Sequence, residues 1–286
     1  LGGIRLLTNV TGTPGVLVRW AFPLENSWNL IGYDAVKSLE GSNSYGNFIR
    51  NGTLFENNGY AFITKTTKDQ LSGVLFGLSV AFALVPETHE DLKPIVSDLI
   101  SRLRDTNWSL RDHTGNTGGT SAHRLDAPQK LILKTLHNAL TGSSERATSF
   151  FFKCVLLSTI HYNRIITRTF SFNLNSMEAH ALYLLSDFHA EKKGAKAWVK
   201  RIHSFMKKDH NPHFEALYYA AFGVTPSEES IRNLEKRVDN PYPKFFSWQK
   251  DPEDWWNVSS QKDGPNIDIL LPYWIIKYTD LERKEK

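Results

Sequence analysis

The sequence is nearly free of sulfur-containing residues, with one cysteine and two methionines in 286 residues. A lone cysteine, Cys154, excludes an internal disulfide, and its position in the apolar run 150–157 predicts a small buried side chain. A catalytic thiol is the minor alternative, because no adjacent His or Asn supports it. The sequence has no CxxC or HExxH motif, and the glycine-rich stretch 115–119 lacks the lysine of a phosphate-binding loop. We therefore expect no metal and no cofactor.

Long hydrophobic runs and a strong charge imbalance are also absent. The longest apolar stretch, Gly73–Val85, is too short to span a bilayer and predicts a buried helix. The net charge is +4, a slight basic excess for this length, whereas nucleic-acid-binding proteins concentrate basic residues on one face. The main basic cluster lies in 191–209 and is interpreted as a solvated helix face, with polyanion binding as the alternative. We expect no membrane span and no nucleic-acid partner.

No signal peptide is visible, and the chain begins at Leu1 rather than Met, which predicts processing, truncation or further residues upstream. Asn-x-Ser/Thr triplets, which secreted eukaryotic proteins can glycosylate, begin at Asn9, Asn51, Asn107 and Asn257. In a bacterial protein these triplets carry no such meaning, so they favour secretion only weakly.

The first part of the chain, 1–63, shows little helical periodicity and is rich in Gly, Asn, Ser and Pro. Asn51-Gly52 lies between two short runs, 48–50 and 53–55, which is the pattern of a two-residue β-hairpin. Tyr60–Thr64 is a second extended run. We predict that 1–63 forms an irregular cover with at most one small hairpin.

From residue 64 onward the sequence predicts one helix after another, about eight or nine in all. Capping boxes mark several helix starts, because a side chain before the helix and one three positions later satisfy free backbone amides. Such patterns occur at Thr66–Asp69, Asp126–Gln129 and Thr225–Glu228. In 195–206 apolar side chains recur at helical spacing and lysines fall outside the stripe, which predicts an amphipathic helix.

The connections between these helices alternate between short and long, and the long ones are polar and aromatic. Helices joined by short loops pair antiparallel, which leaves bundles, solenoids and α/α toroids as alternatives. The fold class is therefore mainly α, and long loops gathered at one end favour an α/α toroid among these alternatives. A full ring of six hairpins needs about a dozen helices, so either further helices lie upstream or the ring is incomplete. We predict a single domain, 1–286, with the toroid in 64–286.

Five segments spread over most of the chain resemble a poorly characterised group of bacterial extracytoplasmic proteins with an α/α-toroid domain. The segments are Thr13–Arg19, Thr67–Leu78, Asn107–Gly115, Asn211–Phe214 and Leu270–Tyr278. The resemblance implies a toroid fold and an extracellular or periplasmic location. The architecture is similar to that of carbohydrate-active enzymes such as unsaturated glucuronyl hydrolases and polysaccharide lyases, which is an analogy of fold alone.

Two pairs of polar residues are candidates for proton transfer and sugar binding. Asp69 and Gln70 stand at the start of a buried helix, where Asp69 is either an acid or base at the toroid mouth or only a capping carboxylate. Asp112 and His113 stand in a glycine-rich loop and can transfer protons if both face a cleft, with turn formation by Asp112 as the alternative. We predict that Asp69 and Asp112 are catalytic. Gln70 and His113 are predicted to bind substrate, and Arg19 to bind charge.

Further substrate-binding residues are predicted from a histidine motif and from aromatic side chains. Asn211 and His213 belong to the motif His-Asn-Pro-His, for which helix capping by Asn211 is the alternative and a metal site lacks further ligands. Trp255, Trp256 and Tyr273 offer flat faces that could stack on sugar rings, or else they anchor an irregular loop by burying apolar area.

Two functions from different classes remain open. The first is a carbohydrate-active or carbohydrate-binding extracytoplasmic protein whose polar, aromatic-lined cleft holds a polysaccharide. The second is a non-catalytic interaction or scaffold subunit, held by protein partners in a larger extracellular assembly. Paired carboxylates and Trp-rich loops favour the first, and the lack of any recognisable catalytic signature favours the second.

Overall fold

The computed structural model describes residues 1–23, 54–57, 59–64, 66–116, 124–143, 169–188, 192–207, 212–232, 273 and 275–277. Contacts divide the chain into two compact units, unit 1 (Leu1–Thr148) and unit 2 (Ser149–Lys286). The described residues are mainly helical, which confirms the predicted mainly α class. The α/α toroid, as a complete or an incomplete ring, and the single domain with its toroid in 64–286 stay predictions.

Unit 1 combines helices with a small antiparallel sheet. Its described helices are α1 (Gly2–Asn9), α2 (Lys68–Leu84), α3 (His89–Asp105) and α4 (Ala127–Thr141), with a short 3-10 turn, Pro86–Thr88, before α3. Its described strands are β1 (Trp20–Pro23), β2 (Leu54–Asn57) and β3 (Tyr60–Ile63).

The sheet has the strand order β1-β3-β2. Its central strand, β3, confirms the extended run predicted at this position, and Ile63 pairs with Trp20 on one side and with Leu54 on the other. Gly59, between β2 and β3, has a φ of 77°, a conformation that favours glycine. The turn of the hairpin predicted around Asn51-Gly52 lies outside the described residues. The third strand goes beyond the one small hairpin that the sequence predicts.

The sequence does not predict α1, because two glycines at its start and polar residues at its end give it weak helix propensity. Packing stabilises this helix instead, since Leu6 and Leu7 pack against a small apolar cluster. The cluster consists of Val10, Val18 and Phe62. The described part of 1–63 therefore contains a helix and strands that share core contacts, and the prediction of an irregular cover is wrong for these residues.

Helix α2 begins one residue later than the predicted capping box implies. Its cap is Thr67, whose hydroxyl accepts a hydrogen bond from the Gln70 amide (3.4 Å), while Gln70 Oε1 accepts one from the Thr67 amide (3.0 Å). The predicted cap, Thr66, is buried, and its hydroxyl donates to the carbonyl of Leu17 (2.5 Å). A long-range hydrogen bond therefore takes the hydroxyl that the sequence pattern assigns to the cap.

Helix α4 begins as predicted, at a capping box formed by Asp126 and Gln129. Its start lies beside the start of α2, because Gln129 Nε2 donates to the carbonyl of Lys68 (3.1 Å) and to the hydroxyl of Ser72 (2.8 Å). Lys68 Nζ also forms an ion pair with Asp126 (2.8 Å). We call this edge of unit 1, from 66 to 72 and from 124 to 130, the paired helix starts.

A close backbone contact holds the segment before β1 against α3. Gly15 has a φ of 72°, and a Cβ atom there would lie 2.1 Å from the carbonyl oxygen of Asp98. Only glycine fits so close an approach. The next residues, Val16–Val18, are buried, so this contact fixes the path of the chain toward Arg19.

The described helices of unit 2 are α5 (Thr169–Leu184), α6 (Lys192–Met206) and α7 (Pro212–Phe222). The apolar stripe predicted on α6 is confirmed, since its buried members are Ala195, Trp198, Val199 and Ile202. Helices α5 and α7 run in the same direction. Ser176 is hydrogen-bonded to His213 (2.9 Å), and seven residues further along each helix the Tyr183 hydroxyl donates to the carbonyl of Ala220 (3.0 Å).

A short helical segment, 228–232, follows α7. Its cap is Ser227, whose hydroxyl accepts a hydrogen bond from the Ser230 amide (3.2 Å), and not the predicted Thr225. The reason is a tertiary contact: Glu215 of α7 accepts hydrogen bonds from the Ser227 amide (2.5 Å) and hydroxyl (3.1 Å).

Candidate functional site

Three of the predicted site residues meet at the paired helix starts. Arg19 extends the β1–β3 pairing, since its amide donates to the carbonyl of Ile63 (2.8 Å). Its side chain then reaches the first turn of α2, where Arg19 Nε donates to Gln70 Oε1 (3.3 Å) and Gln70 Nε2 donates back to the Arg19 carbonyl (3.5 Å). Gln70 thus caps α2 and holds Arg19 in place with the same side chain.

Asp69 is the carboxylate of this cluster, and it reaches the surface while its carboxyl group remains partly buried. Partial burial of the carboxyl group raises the pKa of Asp69, while Lys68 and Arg19 act in the opposite direction and Asp126 adds to the increase. Burial likewise lowers the pKa of Arg19, and the charge of Asp69 opposes that shift. The carboxyl group therefore keeps its proton to a higher pH than an ordinary aspartate does, and it interacts with the charge of the Arg19 guanidinium group.

Asp126 is a second carboxylate in the same place, and the sequence reveals it only as a helix cap. It acts electrostatically on Asp69 and forms the ion pair with Lys68. One feature of the sequence links Asp126 to Asp69: both helices have Gln as their third residue, at Gln70 and Gln129. Two equivalent capping boxes do not by themselves show that their helices lie side by side.

The other predicted catalytic residue, Asp112, has the contacts of a turn residue. Its Oδ1 atom accepts hydrogen bonds from the Thr114 amide (3.0 Å), the Thr114 hydroxyl (2.6 Å) and the Asn116 amide (2.9 Å). Its carbonyl accepts a bond from Arg102 (3.0 Å), and Asp112 and Arg102 line a cavity of about 20 Å³, room for roughly one water molecule. The side chain is buried and organises its own loop, which is the alternative that the sequence left open.

His113 lies next to Asp112 but packs against the sheet. Its ring meets the ring of Phe62 edge to face, with 5.8 Å between the centroids. Phe62 belongs to the apolar cluster behind α1. The structure therefore describes His113 in a packing contact with β3.

His213 lies in unit 2, whereas Arg19, Asp69 and Gln70 lie in unit 1. The ring of His213 is buried and is hydrogen-bonded to the hydroxyl of Ser176, and burial lowers the pKa of His213 to about 4. Another buried histidine, His180, has its pKa lowered to about 3, first by burial and then by the charge of His213. These are the features of a core pair that stays neutral.

Of the remaining predicted substrate-binding residues, one lies in the described part of the chain. Tyr273 is exposed, whereas Asn211, Trp255 and Trp256 lie outside the described residues. Among the described residues, no three His, Cys, Asp or Glu side chains are placed to hold a metal ion. In the same residues no single helix is long and apolar enough to cross a membrane, although α2 and the bent continuation Pro86–Asp105 pass that test together.

No protein family matches this chain, and neither a curated protein nor a solved structure shows significant similarity to it.

Proposed function

We propose that this chain is a carbohydrate-active or carbohydrate-binding protein that holds a polysaccharide across the paired helix starts of unit 1. The observation that supports the proposal is the cluster of Arg19, Asp69 and Gln70 at an exposed helix start. Guanidinium, amide and carboxyl groups in one place can donate hydrogen bonds to sugar hydroxyls and accept them. The dipoles of two helices that begin side by side favour a developing negative charge at the same edge.

Asp69 is the proposed proton donor. A carboxyl group with a raised pKa keeps more of its proton near neutral pH, which is what a general acid needs. Asp126, ion-paired with Lys68, is the proposed second carboxylate. Cleavage of a glycosidic bond uses such a pair: one group protonates the leaving oxygen and the other activates water or attacks the sugar.

The α/α toroid and an extracytoplasmic location belong to the same proposal. Within unit 1, α2 and α4 begin at one edge, and α3 comes between them in the chain. Within unit 2, α5 and α7 run in the same direction, and α6 comes between them. Successive helical hairpins produce this alternation, and helical hairpins are the units of a toroid.

Turnover and binding of a panel of uronic-acid and neutral glycans test the function, with Asp69→Asn as the active-site variant. Asp91→Asn is the matched control, because Asp91 is an exposed aspartate at the start of α3, ion-paired only at the surface with Arg5 (2.7 Å). We expect Asp69→Asn to lower turnover by about 100-fold or more while it retains binding. The turnover of the control variant should stay within about twofold of the wild-type value, since an exposed ion pair contributes little.

Two results would contradict the proposal. The first is a wild-type chain that neither binds nor cleaves any glycan of the panel. The second is an Asp69→Asn variant that turns over glycans as fast as the wild type.

A non-catalytic interaction module is the second candidate, and exposed apolar side chains in unit 2 favour it. Phe188 is 54% exposed and Val224 is 52% exposed, and they follow α5 and α7 at the end where Tyr183 bonds Ala220. Apolar groups exposed together at one end often mark a protein interface. Native mass spectrometry of the protein purified from its source tests whether it has a protein partner. A lone monomer would count against this candidate.

A further inference from the structure

The loop after α3 places a tryptophan in an unusual backbone conformation. Asn107 and Trp108 have φ values of 53° and 59°, and in the described part of the chain no other residues except glycines have a positive φ. This conformation is unfavourable for residues with a Cβ atom. Hydrogen bonds hold it, since the Trp108 amide donates to the carbonyl of Leu103 (2.5 Å) and the Trp108 carbonyl accepts from the Leu125 amide (2.8 Å). Strained backbone of this kind concentrates at binding sites.

Basic side chains surround the indole ring of Trp108. Lys134 Nζ lies 5.4 Å and Lys130 Nζ lies 5.7 Å from the ring centroid, and both lysines come from adjacent turns of α4. A β-bridge places the backbone of Arg124 beside that of Ser109, and the charge of Arg124 acts on Lys130. The pKa of Lys130 is lowered first by burial and then by the charges of Arg124 and Lys134. Three positive charges therefore lie near one another, and two of them lie over one aromatic ring.

The carboxylate that acts on Lys130 is already shared with another cation. Among the described residues, Asp126 is the one carboxylate that acts on Lys130, and it is ion-paired with Lys68 at 2.8 Å. Crowded like charges repel, and a bound anion would relieve that repulsion. The cationic group is also continuous with the paired helix starts, because Asp126 acts on both Lys130 and Asp69.

We infer that Arg124, Lys130 and Lys134 bind a carboxylate or sulfate group of an acidic polysaccharide beside the ring of Trp108. This inference rests on the proposed function and deepens it, since it names the charge of the substrate. The oxyanion accepts charge-assisted hydrogen bonds from the ammonium and guanidinium groups. The indole provides an apolar surface for the sugar ring that carries the anion.

Isothermal titration calorimetry on the full chain tests the inference with matched probes. Dextran and dextran sulfate share a backbone and differ in charge, polygalacturonate supplies carboxylates, and inorganic sulfate supplies the anion without sugar. We expect binding of dextran sulfate or polygalacturonate at least about tenfold tighter than binding of dextran. The affinity should fall as salt is added, because salt screens exposed charges.

The variant Lys130→Gln/Lys134→Gln removes two of the cations. Its control is Lys196→Gln/Lys200→Gln, which removes the same charge from adjacent turns of α6, where Lys196 also lies over aromatic rings, 6.0 Å from Tyr183. We expect the first variant to weaken polyanion binding by about tenfold or more and the second by less than about twofold. Arg124→Gln is the independent second variant, and a separate loss of affinity is expected from it.

The possible failures are distinguishable. Equal weakening by the two lysine variants, or tight binding of dextran itself, overturns the anion site and leaves the proposed carbohydrate function standing. Binding of inorganic sulfate that depends on Lys130 and Lys134, without binding of any polysaccharide, supports the anion site and overturns the carbohydrate function. A wild-type chain that binds none of the four probes overturns the anion site.

Discussion

Acidification is expected to destabilise unit 2 through the buried histidines His180 and His213. In the folded chain both rings are buried, and Ser176 is hydrogen-bonded to His213. Burial lowers the pKa of His213 to about 4 and the pKa of His180 to about 3. Because both values lie below the ordinary value of 6.5, the unfolded chain binds more protons than the folded chain as the pH falls. The stability is therefore full above pH 6.5 and decreases toward pH 4.

The expected loss can be worked out for His213 alone. Lowering its pKa from 6.5 to about 4 corresponds to a difference of about 3 kcal/mol between high and low pH. About 2 kcal/mol of this is lost by pH 5, which changes the ratio of folded to unfolded chains by roughly thirtyfold. His180 acts in the same direction, so the free energy of unfolding should fall by at least this amount between pH 8 and pH 5.

Urea unfolding followed by circular dichroism at pH 8 and pH 5 measures this loss, and His213→Asn is the variant that separates the cause. The variant is less stable at pH 8, but its loss on acidification should shrink by about 2 kcal/mol, because asparagine does not titrate. Histidine proton resonances give an independent check. A midpoint near 6.5 for His213, or an undiminished acid loss in the variant, would refute the reasoning.

Two further predictions concern residues with positive φ in unit 1. Gly15→Ala should lower the free energy of unfolding by about 2 kcal/mol or more, because a Cβ atom would lie 2.1 Å from the Asp98 carbonyl oxygen; thermal unfolding measures it, and a change below about 0.5 kcal/mol would contradict the contact. Asn107→Gly should raise the free energy of unfolding by about 1 kcal/mol, because glycine adopts a φ of 53° without strain; Asn107→Ala is the control, and a variant less stable than the wild type would contradict this conformation.

Helix positions could be predicted from the sequence where one local pattern decides them. The stripe of α6 and the capping box of α4 are local signals, and both are confirmed. The predicted starts at Thr66 and Thr225 are wrong by one and two residues, because tertiary contacts decide them: the Leu17 carbonyl takes the hydroxyl of Thr66, and Glu215 holds Ser227. Helix α1 could not be predicted from a local pattern either, because packing against the apolar cluster stabilises it.

The candidate site could be predicted only in part, for the same reason. Residue type and position were enough to single out Asp69, Gln70 and Arg19, but nothing in the sequence shows that the first strand carries Arg19 to the start of α2. Asp112 illustrates the converse. An aspartate followed by Thr, Gly and Asn satisfies its own loop, so its carboxylate is engaged before any substrate arrives.

The two glutamines of the paired helix starts provide a final test, because the same substitution should destabilise the chain at one position and have little effect at the equivalent one. Gln129 is buried and donates through Nε2 to the Lys68 carbonyl and the Ser72 hydroxyl, so Gln129→Glu replaces that donor with a charged acceptor facing an acceptor. We expect it to lower the free energy of unfolding by about 2 kcal/mol or more.

At Gln70, by contrast, the short contacts use Oε1, which accepts from the Thr67 amide and from Arg19 Nε. A glutamate keeps both of these hydrogen bonds and adds the attraction between its carboxylate and the guanidinium group of Arg19. Gln70→Glu should therefore change the free energy of unfolding by less than about 1 kcal/mol. Urea unfolding of the two variants side by side measures the difference. Equal losses would mean that the side-chain amides do not join the helix starts as described, and the arrangement on which Asp69 and Asp126 depend would be incorrect.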